Sequence, residues 1–510
     1  MKKSTLIAAL ATIVILSSCA NNEGAAAPMS FPKGFMWGVT TDSEQSEGWD
    51  TQNDWYIWEQ MGDTPIVGAA DNSYALYDED SAEVRSLSLN TMNITVEWAR
   101  IVPDRPPDIY APLTGADVSP AAVQHYIDVV QSLIRHGITP VITLTMYTLP
   151  QWVDNPRDCH NGITSTSLCG WTSTQTAYAF GNYARFMAQQ FSQTVKYWIT
   201  ENEPNAYLLT GYVLGRYTPG FLTFQFTAPT LPFGATVVDV YRNEINGHAL
   251  AYHAIHDVEP GAMVSVAVNS IMSEPVPGKP ETIAAARAFD HAYNLLYPDA
   301  VTGGVFDNGL TGTTFTEVHP DWAHTIDFLA MTYYGHDYVI TAPPGLFSPI
   351  NAIPCDSAIK EVIPPEILGC PSGNPPEPAG LTAMLLEFWN RYHLPIMIVE
   401  NGSGSADPMA KTRYIVQNLM AVHNAISEGV KVFCYTYWTL NYDYEWTSGY
   451  YQNFGLFYVD DFSMATSGTS LIPVTGTDFT RTPIHPASDV YAAIAAADGI
   501  SPTIIDRYGQ

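Results

Sequence analysis

The chain has 510 residues, of which 46% are hydrophobic and only 14% charged, so a large core can be buried and an intrinsically disordered chain is excluded. Lys and Arg number 21 against 51 Asp and Glu, and the resulting formal charge of −30 would repel a nucleic-acid backbone; no nucleic-acid partner is expected. The length fits one large domain or several small ones.

The first residues have the build of an export signal: Lys2 and Lys3, then an apolar stretch from Leu6 to Leu16 that is too short to favour a spanning helix. It ends in Leu16-Ser17-Ser18-Cys19, which resembles a bacterial lipoprotein box. Residues 1–19 are therefore expected to be a lipoprotein-type signal, Cys19 the lipidated residue, and 20–30 a tether to a domain spanning 31–510. A plain signal peptide or an uncleaved anchor is the alternative. The expected location is outside the cytoplasm, lipid-anchored to a bacterial membrane, and Ala20 rather than Asp after the cysteine favours the outer membrane.

Eight apolar runs of strand length follow: Phe35 to Thr40, Thr91 to Trp98, Pro140 to Tyr147, Val195 to Thr200, Met263 to Asn269, Ile326 to Tyr333, Ile396 to Glu400 and Val432 to Thr439. Between them lie helical patterns, among them Ala121 to His136, Thr174 to Gln190, Val238 to Val258, Ile283 to Leu296, Leu381 to Arg391 and Tyr414 to Glu428. Strands buried on both faces and separated by helices are what closing a (β/α)8 barrel requires, so the fold class expected is α/β, a single TIM barrel; an open sheet is the alternative. Long insertion loops are expected at 154–172, 217–235, 342–379 and 460–487. Two of them hold close cysteine pairs, Cys159 with Cys169 and Cys355 with Cys370, for which export permits disulfides, while Cys434 lies in an apolar run and reads as a core thiol. No CxxC or HExxH spacing occurs, and neither a metal nor a cofactor is expected.

A barrel of this kind builds its active site at the C-terminal ends of its strands. Glu97-Trp98, Glu201-Asn202-Glu203, Tyr333-Tyr334, Glu400-Asn401 and Trp438 fall at those ends. Retaining cleavage of a glycosidic bond uses two carboxyl groups about 5–5.5 Å apart, one protonating the leaving oxygen, the other attacking the anomeric carbon. Glu203, in Trp198-Ile199-Thr200-Glu201-Asn202-Glu203-Pro204-Asn205, and Glu400, in Ile396-Met397-Ile398-Val399-Glu400-Asn401-Gly402, are the candidate pair. The chain also carries, in order, Phe31-Pro32-Lys33-Gly34-Phe35-Met36-Trp37-Gly38, Gln45-Ser46-Glu47-Gly48, Val96-Glu97-Trp98-Ala99-Arg100-Ile101, Gly211-Tyr212 to Pro219-Gly220, Asp327-Phe328 to Tyr333-Tyr334, and Glu445-Trp446.

By this ordered set, over residues 31 to 495, the chain resembles glycoside hydrolase family 1, the family of β-glucosidases, β-galactosidases and related enzymes. The resemblance implies that Glu203 is the general acid/base, Glu400 the nucleophile and Tyr334 the tyrosine hydrogen-bonded to it. It further implies sugar contacts from Gln45, Asn202, Glu445 and Trp446 and a platform under the ring from Trp438. Four positions depart from the family pattern: Met146 stands where a His contacts the sugar, Asn93 where an Arg lies beside the nucleophile, Thr332 for an Asn, and Val399 for a Thr. Arg100 is the alternative counterpart of that missing Arg. A thioether cannot donate as imidazole does, and an amide brings no charge to keep Glu400 ionised. The expected activity is that of a retaining β-glycosidase releasing terminal β-linked sugars, foremost β-D-glucosides, from a small β-glycoside or oligosaccharide. The rival readings are a different or modified glycon, transglycosylation, and a sugar-binding pseudoenzyme; no feature sets an oligomeric state.

Overall fold

The computed structural model describes residues 28–312, 317–355, 357–363, 369–371, 377–459, 465–467, 470–472 and 479–510. The expected signal, Cys19 and most of the tether lie outside them, as does much of the expected loop at 460–487.

Eight strands close into one ring: β1 (Met36–Thr41), β2 (Thr91–Thr95), β3 (Thr139–Thr143), β4 (Tyr197–Asn202), β5 (Met263–Pro275), β6 (Leu329–Thr341), β7 (Ile396–Glu400) and β8 (Val432–Trp438). Each pairs in parallel with the next. Strand β8 returns to β1, with Trp438 opposite Thr40, which rules out the open sheet. The inside of the ring is filled by one residue or two from most strands: Val141, Ile199, Ala267, Ala330, Met397, Val399 and Cys434 pack together with Phe328 and are fully buried. That is the layered interior of a packed barrel rather than a pore. Cys434 is a free thiol within it, and the two loop pairs, Cys159–Cys169 and Cys355–Cys370, are disulfides.

Outside the ring run Pro120–Arg135, Thr174–Phe191, Val237–Val258, Glu377–Tyr392 and Pro408–Ser427. Local chemistry sets their starts: Ser119 caps Ala122 N ahead of a first-turn proline, and Thr236 and Asp239 form a reciprocal capping box. No helix among the described residues is long and apolar enough to cross a membrane.

The differences from expectation have local causes. The run from Thr91 leaves the sheet at Thr95 because the Glu97 side chain accepts Ala99 N and starts a short helix, Trp98–Ile101. The run to Tyr147 ends at Thr143, and Tyr147 itself takes a left-handed backbone, φ 62°. The helix expected over 283–296 spans Ile283–Asp290, passes through a π-helical turn at His291–Leu295 and continues to Gly303; in that turn Asn294 Nδ2 donates to Ile271 O (2.8 Å) and Asp290 Oδ1 (2.7 Å). Helices Asp54–Met61, Ser73–Ser86 and Ala487–Ala497 add to those read from the sequence.

Candidate active site

Glu203 is the first residue past β4 and sits in the left-handed region, φ 53° and ψ 48°. A glutamate pays backbone strain there, and the turn is held by its N–H on Ala267 O (2.7 Å), by Tyr207 N on its carbonyl (2.9 Å), and by Pro204, which opens the next short helix. Glu400 is the last residue of β7. Both carboxyls are buried and face one cavity of about 280 Å³.

Their hydrogen bonds differ. Glu203 Oε1 accepts from Asn269 Nδ2 (2.7 Å) and from the Thr332 hydroxyl, and its Oε2 accepts from the Tyr147 hydroxyl. Tyr293 in turn donates to Asn269 Oδ1 (2.9 Å), which fixes the amide's orientation. Glu400 Oε1 accepts from Asn202 Nδ2 (2.9 Å) and Oε2 from Tyr334 OH (2.9 Å). Burial, then the charge of Glu203, hold the Glu400 carboxyl well above the ordinary range, against the pull of the Tyr334 and Asn202 bonds. None of the groups acting most strongly on it is a cation. Asn93 is buried and accepts from Thr143 Oγ1 (2.9 Å), bringing no charge. Arg100 is engaged elsewhere, with Nε 2.9 Å from Glu47 Oε2 and Nη2 2.6 Å from Gly48 O, so it does not replace the missing arginine.

Of the other residues singled out in the sequence, Met146, Tyr334, Trp438, Glu445 and Trp446 line the same cavity. Trp438 Nε1 donates to Glu445 Oε1 (3.0 Å), and Gln45 Nε2 reaches Tyr444 O (2.5 Å) and Glu445 Oε2 (3.4 Å). Burial pushes the Glu445 carboxyl up to about 8, with these bonds opposing. Gln45 and Asn202 stand behind the wall rather than in it: each is bonded to a lining carboxylate, Glu445 and Glu400 respectively. Val399 points into the barrel interior, and its carbonyl accepts the Thr40 and Thr436 hydroxyls (2.5 Å each).

The sequence reading missed Tyr147, Asn269 and the role of Thr332 beside Glu203, and also Arg216, Tyr217 and Phe454 in the cavity wall. Tyr147 follows Met146 directly, and Asn269 ends the run expected as the fifth strand, so position alone marked both. Arg216 donates to Thr447 Oγ1 (3.0 Å) at that wall. A separate group of carboxylates, Glu44, Asp50 and Glu97, brings ligand-type atoms within 4.8 Å of one another. Each already meets protein donors: Asn53 Nδ2 on Glu44, Gln52 N on Asp50, and the Ser43 and Thr148 hydroxyls on Glu97.

The model of the family described as Glycosyl hydrolase family 1 matches residues 27–469. Among curated relatives, a β-galactosidase of Sulfolobus acidocaldarius is 27% identical over 478 residues, covering 85% of this chain and 91% of its own. Thermostable β-glucosidase B of Thermobispora bispora is 28% identical over 464 residues, covering 86% and 88%. Among solved structures, the β-glycosidase from Pyrococcus horikoshii superposes with a TM-score of 0.74 at 26% identity, covering 95% of this chain and 99% of its own.

Proposed function

The chain belongs to glycosyl hydrolase family 1, and from that premise we propose that it is a retaining β-glycosidase releasing a terminal β-linked sugar, foremost from β-D-glucosides. The observation that carries the reading is the pair Glu203 and Glu400 facing one cavity, each on a strand end and each held by its own donors. In the first step Glu400 attacks the anomeric carbon, the bond to the leaving oxygen breaks, and that oxygen takes the proton of Glu203. Water then attacks the glycosyl ester, gives its proton to Glu203 and frees Glu400. Trp438 offers an indole face to the ring, and Glu445, held by Trp438 and Gln45, offers acceptors to adjacent hydroxyls.

The two curated relatives described above carry different names, β-galactosidase and β-glucosidase, at similar identity. The retained pair Gln45 and Glu445 favours a neutral hexoside, among which β-D-glucosides are the first to test. Met146 in the cavity wall favours a second reading, a glycon bearing no hydrogen-bonding group at that position. Hydrolysis is tested with a panel of aryl β-glycosides on wild type, Glu400→Gly and Glu203→Ala. We expect Glu400→Gly to be inactive, and Glu203→Ala to keep activated aryl substrates and to respond to azide. No turnover of any glycoside, or a fully active Glu400→Gly, would overturn the reading.

Export with a lipid on Cys19 is part of the same proposal, supported by the basic, apolar and Leu16-Ser17-Ser18-Cys19 segments. Cys19→Ser should release the protein from the membrane fraction; continued retention would refute it.

A further inference from the structure

Behind β4 lies a second cavity, of about 10 Å³, room for a single water-sized occupant. Glu201, Asn202 and Thr145 line it from the barrel side, and Glu244 from helix Val237–Val258. Asn202 lines this cavity while its Nδ2 reaches Glu400 in the sugar pocket.

Among the described residues the polar atoms around it do not balance. Glu201 is 3% exposed; its Oε2 accepts from Tyr297 OH (3.0 Å) and its Oε1 has no donor. Glu244 is 1% exposed, and neither of its oxygens has a donor. Asn202, 3% exposed, spends its Nδ2 on Glu400 and leaves Oδ1 without a partner. All four of these oxygens are acceptors when the glutamates are ionised, and a single water supplies only two protons. Elsewhere in the molecule buried glutamates meet donors: Glu47 meets Arg100 and Tyr126, and Glu97 meets Ser43, Thr148 and Ala99 N. Buried carboxylates are paired, hydrogen-bonded or bound to metal, and this pair has only the one bond from Tyr297. Gly247, one turn beyond Glu244, permits the approach: a Cβ there would lie 2.7 Å from the Trp171 ring and 3.3 Å from Glu201 Oε1.

We infer that this cavity is a binding site for one hard divalent cation of the calcium class, held by Glu201, Glu244 and Asn202 Oδ1, with Thr145 Oγ1 as a further oxygen. Two carboxylates balance the charge. An all-oxygen donor set with space for no retained water suits calcium better than magnesium, which keeps several waters. The ion would pin Asn202 with its Oδ1 on the metal and its Nδ2 on Glu400, and it would bring positive charge within one side chain of the nucleophile. That consequence rests on the proposed function; the binding itself does not.

The test uses the purified full chain, stripped with EDTA, equilibrated near neutral pH with calcium chloride, and desalted. The expected result is one calcium retained per chain by elemental analysis, a higher thermal midpoint than the stripped protein, and loss of both effects in Glu244→Gln and Glu201→Gln. Wild type that retains no calcium and melts at one temperature with calcium or EDTA would overturn the site, leaving two protonated carboxyls around a water. Equal retention by wild type and both variants would overturn it too, because the ion would then sit elsewhere. Should one variant not fold, the other decides where the ion sits, and turnover enters none of these readouts.

Discussion

Replacing Tyr334 by Phe isolates how the protein keeps its proposed nucleophile ionised. The ring edge that meets Phe454 at 6.0 Å is retained, and only the hydroxyl donating to Glu400 Oε2 at 2.9 Å is lost. A hydrogen bond to a charged acceptor is worth about 1.5–3 kcal/mol. Its loss raises the carboxyl further. The direction follows from the charged form: Tyr334 stabilises the carboxylate, burial and Glu203 already oppose it, and no cation among the strongest influences compensates. The acid limb of kcat/KM, below which Glu400 is protonated and cannot attack, therefore moves upward. At neutral pH, kcat/KM falls about 10- to 150-fold. The assay is the pH dependence of kcat/KM on a 2,4-dinitrophenyl β-glycoside, whose leaving group needs no proton and so leaves the acid limb to the nucleophile. An unmoved limb with a rate within about threefold of wild type would refute the reasoning.

Tyr147→Phe removes the one donor on Glu203 Oε2, and should slow glycosides with poor leaving groups about tenfold while changing dinitrophenyl substrates little; equal losses on both would show that the ring only packs. Met146→His places a donor in the cavity wall and should raise kcat/KM on aryl β-glucosides about tenfold, whereas no gain would favour a glycon without a group there. Burial raises Asp42, Asp54, Glu59 and Asp71 to about 7, Glu47, Glu97 and Glu445 to about 8, and Glu83 to about 9. The folded chain thus binds more protons than the unfolded one, and the stability this contributes is complete below the ordinary carboxyl range and lost as pH rises through those values. Thermal midpoints should fall steadily from weakly acid to weakly alkaline buffer; a midpoint that is flat or rises over that window would contradict it.

The barrel was legible because its strands are continuous apolar runs. Ile396–Glu400 emerged with both ends as expected, since the buried run ends at a carboxylate that faces the cavity instead of the barrel interior. Other boundaries were not legible because side-chain chemistry set them: the cap at Glu97 and the left-handed turn at Tyr147 leave no trace in hydrophobic periodicity. Helix Ser73–Ser86 escaped for a related reason, since it buries only Asp80, Ser81 and Val84 and so presents no apolar stripe. In the site, Glu203, Glu400 and the aromatic wall could be read from ordered blocks. The donors around Glu203 come from within two strands, β5 and β6, and from the loop after β3, and Glu244 meets Glu201 across 43 positions by helix packing. Such meetings belong to tertiary structure, and one sequence read alone does not carry them.

The donor geometry also says which oxygen of Glu203 carries the proton in the proposed first step. Asn269 Nδ2 can only donate, and Tyr293 holds its amide in that orientation, so Glu203 Oε1 must remain an acceptor. Oε2 faces the Tyr147 hydroxyl, which can turn from donor to acceptor as the carboxyl gains a proton. The proton therefore resides on Oε2, and the leaving oxygen must approach from the side of Tyr147, in a cavity that Tyr147 and Trp446 wall together with ring centroids 4.9 Å apart. Glu400 carries the same pattern, an amide donor from Asn202 on Oε1 and the Tyr334 hydroxyl on Oε2, and as donors both favour the anion that the first step requires.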